Sequence, residues 1–180
     1  MKRLRCAAAL FFYLLTVVTF LNGCAVNEKS ADAGELIVAL SDEIKEISGR
    51  GLIYFDLTRK SENGNIHIIS EEKLGYLYTG LFEPLPCQNR IKSYAVRLPS
   101  DMGGCEIHVI ECVNPSDCDE IAVFLEKRIN KLKSSEVLSI APETHETCFK
   151  GAEVYKKSRF VFLLATPDNQ AVKKVIGRYL

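Results

Sequence analysis

Sulfur, carboxylate and imidazole carry what chemistry this chain offers. Seven cysteines occur in 180 residues. Cys105, His108, Cys112 and Cys118 are soft ligands of the kind zinc takes, but their spacing contains no CxxC pair. In an extended strand, period-two alternation sets Cys105 opposite to His108 and Cys112, so no metal site is expected. Cys105 and Cys112 lie about 23 Å apart along such a strand and on opposite faces, too far to bond to each other. Cys87 and Cys148 fall in loop-like segments and could pair with each other or with Cys105. Cys118 lies on an apolar stripe and reads as core. A mostly unpaired set is favoured, with the connectivity open. Glu106 and His108 share one strand face, and with Tyr155 they form the one constellation that could line a cleft or contact surface. His145 with Glu143 and Glu146 is a polar loop cluster without a GxSxG nucleophile. No GxxxxGK[ST], GxGxxG or HExxH occurs, so the large recognisable enzyme classes find no support and no cofactor is expected.

A different chemistry is written at Cys24. Lys2, Arg3 and Arg5 precede an uncharged apolar run through Leu21, the pattern of an export signal. The run is short for a membrane span of about 20 residues, although an uncleaved anchor has the same flanks. Leu21-Asn22-Gly23-Cys24 resembles the lipobox of bacterial lipoproteins, with Asn22 the unusual occupant. That resemblance implies cleavage before Cys24 and a diacylglyceryl group on its sulfur. It places the chain on the outer face of the cytoplasmic membrane, since two acyl chains hold stably where one holds marginally. Ordinary cleavage and free secretion is the alternative. Residues 1–23 then form the signal, 24–34 the lipidated cysteine with a polar tether, and 35–180 a single domain. Residues 24–180 number 157 of the 180; without Lys2, Arg3 and Arg5, 20 basic residues face 23 acidic ones, a net charge of about −3. No basic stripe points to nucleic acid.

The elements follow from periodicity. Leu36, Ile37, Leu40, Ile44 and Ile47 share a helical face. Residues 52–57 and 66–69 flank Asn63-Gly64 and read as a hairpin. Ser70 caps a short helix that Gly80 ends. Residues 94–98 and 105–112 alternate around a PSDMGG turn, a second hairpin. Asn114-Pro115-Ser116 breaks it, and Ser116 with Asp119 reads as an acidic capping box. Cys118, Ile121, Leu125, Ile129 and Leu132 form the stripe of the next helix, with Glu126, Lys127, Arg128, Lys131 and Lys133 as its solvated face. Residues 152–156 and 159–165 are strands around Lys157-Ser158. Thr166-Pro167 starts a last helix that buries Val172, Val175, Ile176 and Tyr179. Two strand-strand-helix units predict an α+β fold: a four-stranded antiparallel sheet, both helices on one face, and an extra N-terminal helix.

CEIHVIEC, DEIAVFLEKRINKL, the Ala141-Pro142 linker and AEVYKKSRFVFLLATPDNQAVKKVI together resemble an uncharacterised lipoprotein family of Gram-positive bacteria, domain-of-unknown-function family 4358. The resemblance covers residues 35–180. Glu106 matches the Glu that opens the family's strand, and Tyr78 and Leu81 fall near a Tyr-containing turn before the first hairpin. It implies an extracytoplasmic lipoprotein and brings no activity, cofactor or catalytic residue. The cysteines are this chain's own. The expectation is a lipid-anchored, non-enzymatic domain that binds or scaffolds an envelope protein or small ligand. The alternative is a surface enzyme with a carboxylate- or thiol-based site.

Overall fold

The computed structural model describes residues 31–44, 51–57, 67–99 and 104–180. Residues 21–24, Ile47 and the Asn63-Gly64 turn lie outside them. Helix α1 (Ala33–Glu43) starts three residues before Leu36, the first residue of its apolar face, because Asp32 caps it. The Asp32 carboxylate accepts from Glu35 N at 2.7 Å, and the Glu35 carboxylate accepts from Asp32 N. Helix α2 (Glu71–Thr79) runs between the Ser70 cap and Gly80, whose φ of +81° is the left-handed conformation glycine adopts freely.

Among the described residues the sheet has six strands rather than four. They are β1 (Gly51–Phe55), β2 (His67–Ile68), β3 (Ile91–Pro99), β4 (Glu106–Cys112), β5 (Glu153–Lys157) and β6 (Phe160–Ala165), in the order β2-β1-β3-β4-β6-β5. The α+β class and the β3–β4 and β5–β6 hairpins stand. The first hairpin does not: β1 and β2 pair in parallel, and β1 joins the sheet antiparallel to β3. Asp56 extends that second ladder, its N donating to Tyr94 O and its carboxylate accepting from Tyr94 N. The chain therefore does not turn back at the end of β1. A parallel partner needs a longer connection than a tight hairpin turn.

Helices cover both faces, not one. Every residue of β4 and β6 is buried, as in strands sandwiched between layers. Register sorts the faces. Tyr94, Val96, Glu106, His108, Ile110 and Leu163 look one way, toward α2 and α3 (Cys118–Leu132). Ser93, Ile107, Val109, Glu111 and Phe162 look the other, toward α1 and α6 (Asn169–Tyr179). On the α1 side Ala33 N donates to Ser93 Oγ, and Lys173 of α6 pairs with Glu153 at 2.6 Å. The two short helices α4 (Ser135–Ile140) and α5 (Pro142–Thr144) lead into a π-helical turn, His145–Phe149, before β5.

Caps differ from expectation in two places. Asn114 and Asp117 close the turn before α3, with Asn114 N donating to the Asp117 carboxylate at 3.0 Å, so the Ser116–Asp119 box is not used. Asp168, not Thr166, caps α6, accepting from Ala171 N; the Thr166 hydroxyl instead donates to Asn169 Oδ1. Tyr179 stays exposed and donates to Glu43 of α1.

Candidate functional site

Glu106 and His108 stand two residues apart on β4, so strand alternation puts both side chains on the α2/α3 face, and each residue is 0 % exposed. A buried carboxylate beside a buried imidazole must find partners or forgo its charge. Arg128 of α3 supplies one: its Nε and one terminal nitrogen donate to the two Glu106 oxygens, both at 2.8 Å, a bidentate fork. Tyr78 of α2 supplies the other, its hydroxyl 2.6 Å from His108 Nδ1. His108 Nε2 faces Glu106 Oε1 at 2.8 Å, off the axis of a straight hydrogen bond. The chain Tyr78–His108–Glu106–Arg128 thus ties the sheet to both helices above it.

Burial alone would raise the Glu106 pKa. The Arg128 fork and His108 outweigh it and hold the carboxyl at about 2. Burial lowers the His108 pKa, with Glu106 opposing and Arg128 assisting, so the imidazole is neutral at neutral pH. Burial, reinforced by the Glu106 charge, pushes Tyr78 well up. The Tyr78 hydroxyl therefore keeps its proton and donates it to Nδ1, which leaves the imidazole proton on Nε2, facing Glu106.

Arg128 belongs to this site and not to the solvated face: its side chain is 16 % exposed. The signal was available, since Arg128 lies three residues after Leu125 and seven after Ile121, on the buried stripe. Tyr78 likewise follows Leu74 by four. Tyr155 is not part of the group. It faces the opposite side of the sheet, with its ring 5.9 Å from that of Phe162 and beneath Lys173. Glu106, His108 and Tyr155 therefore line no common cleft or surface. Tyr94 and Phe160 are buried as well.

Glu111 anchors the opposite face. It accepts from Lys92 at 2.9 Å, from Arg159 at 2.8 Å and from the Ser93 hydroxyl at 2.7 Å. Two surface depressions lie elsewhere. One of about 190 Å³ is bordered by Asp32, Glu35, Phe55, Asp56, Ser93 and Tyr94. A wider one of about 470 Å³ lies beside Lys150, Glu153, Thr166 and Asn169. Tyr76 and Phe82, with rings 6.0 Å apart, are 54 % and 67 % exposed next to the exposed Leu81. Among the described residues no three His, Cys, Asp or Glu side chains are gathered to hold a metal ion. Nor is any described helix long and apolar enough to cross a membrane.

No protein-family model, curated protein or solved structure matches this chain. Its function has to be read from its own residues.

Proposed function

We propose that this chain is a lipid-anchored domain on the outer face of the cytoplasmic membrane that binds or scaffolds another envelope component or a small ligand. Its kinship with the lipoproteins of domain-of-unknown-function family 4358 is part of the same proposal. The address rests on Cys24 at the end of the apolar run. If Cys24 carries the lipid, the eight residues up to Asp32 span at most about 30 Å, which keeps the domain at the membrane surface.

The observation that carries a binding rather than a catalytic role is the use made of the polar groups of β4. Glu106, His108 and Glu111 are each engaged inside the sheet–helix layers by Arg128, Tyr78, and Lys92 with Arg159. Three of the exposed apolar side chains, Tyr76, Leu81 and Phe82, stand together at the end of α2, as contact surfaces do.

A thiol-based surface enzyme is the second reading, and Cys148 favours it. A hydrogen bond from Cys105 draws its pKa down to about 6, the range of an activated thiol. Yet Cys148 is only 3 % exposed, and its sulfur lies 3.6 Å from that of Cys105. Its nearest reaction partner is inside the protein.

Two experiments test the proposal. Labelling with a radioactive fatty acid should mark the native chain and fail on Cys24→Ser, which should accumulate as uncleaved precursor; equal labelling of both refutes the anchor. A photocrosslinking residue at Phe82 should give a discrete adduct in intact cells that a Leu81→Asp substitution removes. Adducts that are diffuse, or unchanged by that substitution, refute the contact role.

A further inference from the structure

Four of the five cysteines beyond Cys24 stand in two pairs at the two ends of one strand. Cys105 immediately precedes β4, and its sulfur lies 3.6 Å from that of Cys148 in the π-helical turn. Cys112 ends β4, and its sulfur lies 3.4 Å from that of Cys118, the first residue of α3. Each pair has to close by only about 1.4–1.6 Å to reach the bond length of a disulfide. All four residues are at most 5 % exposed.

We propose that the mature protein carries two disulfides, Cys105–Cys148 and Cys112–Cys118, which fasten both ends of the central strand β4 to its neighbours and leave Cys87 as a buried free thiol. The presence of these bonds in cells rests on the export reading above, because bonds of this kind persist in oxidising surroundings. Their pairing rests on geometry alone.

The oxidant is a disulfide, RS–SR, acting by exchange. The Cys148 thiolate attacks one of its sulfurs, forming a mixed disulfide and releasing RS⁻. Cys105 gives its proton to that RS⁻, and its sulfur attacks Cys148 as the second RS⁻ leaves. That RS⁻ takes up the proton Cys148 had released. Two electrons and two protons have passed to the oxidant, giving two RSH and one S–S bond. The hydrogen bond from Cys105 lowers the Cys148 pKa and favours it as the attacking sulfur, and because Cys148 is buried once folded the attack takes place before the turn around it has closed. Burial pushes Cys112 and Cys118 the other way, so their bond forms by the same exchange while the folding chain still admits solvent.

The test maps sulfur linkages in the full chain. Cells producing it are quenched in acid, treated with N-ethylmaleimide, and the protein is digested unreduced with a protease cutting after Asp and Glu, among them Asp101, Glu106, Glu111, Asp117 and Glu146, which puts each of these five sulfurs on its own peptide. A second sample is purified, reduced, unfolded and refolded with glutathione disulfide. Mass spectrometry should find the two stated links in both samples, with maleimide on one of these five cysteines, Cys87. Five labelled cysteines from cells but the stated links after refolding uphold the pairing and count against export. A different link in either sample, such as Cys87–Cys148 or Cys87–Cys112, or five labelled cysteines after refolding, overturns it.

Discussion

Replacing Arg128 with Leu should leave Glu106 charged and buried without its guanidinium partner, and the cost should depend on pH in a way only that pair explains. Removing one partner of a buried ion pair costs about 3–5 kcal/mol. The depressed pKa of Glu106 implies a consistent size. Glu106 sits at about 2 in the folded protein, against an ordinary value of 4.5. At about 1.36 kcal/mol per pH unit this is roughly 3 kcal/mol. Its sign follows from the depressed value: the contribution is complete above pH 4.5 and is lost as pH falls toward 2. In Arg128→Leu the burial of Glu106 is opposed only by His108. The site then gains a proton as pH falls, either on the carboxyl or on the imidazole, which no longer faces the Arg128 charge. The variant should therefore recover relative to the native protein on acidification. Urea unfolding followed by circular dichroism at pH 7, 5 and 3 measures this. The gap should be about 3–5 kcal/mol at pH 7, a large share of the ~5–15 kcal/mol that holds a domain together, and should shrink toward pH 3. A gap under 1 kcal/mol at pH 7, or one equally large at pH 3, refutes the reasoning.

Three further outcomes are expected. Tyr78→Phe removes the donor to His108 Nδ1 and strands a buried acceptor, costing about 1–3 kcal/mol in urea unfolding; a loss within error would show that the hydroxyl is dispensable. Gly75→Ala drives a methyl carbon into the backbone oxygen of Glu83, so the residue 80–84 loop has to leave α2. The melting temperature should fall by several degrees, in keeping with an overpacking cost of about 1–3 kcal/mol, and an unchanged melt would mean that the loop does not pack there. If the two disulfides form, Cys105→Ser opens a loop spanning 43 residues and should cost about 4 kcal/mol, whereas Cys118→Ser opens one spanning 6 and should cost about 2 kcal/mol. Both differences should vanish when dithiothreitol is present throughout, and their persistence would assign them to packing.

Local signals in the sequence were enough for most elements. The stripe Cys118, Ile121, Leu125, Ile129, Leu132 is buried as its spacing requires, Ser70 and Gly80 bound α2, and two hairpins pair where alternation put them. Each depends on neighbours within a few residues, which periodicity and capping report directly. Caps were the weaker part. Asn114, Asp117 and Asp168 outcompeted Ser116 and Thr166 because several oxygens stood within reach of the same amides, and only the final backbone path chose among them.

Periodicity showed that Glu106 and His108 share a face, but the run of charges put Arg128 with the solvated face of its helix, although its spacing from Ile121 and Leu125 sets it beside the buried stripe. Periodicity could not show that the stripes of α2 and α3 meet over the same stretch of β4, while Tyr155 faces the other way. Nor could it tell that β1 takes a parallel partner, that helices cover both sheet faces, or that Cys148 reaches Cys105 across 43 residues. These are decided by how the layers stack. Stacking depends on the total apolar area removed from water and on giving every buried charge a partner, and both are properties of the whole chain that no local window contains.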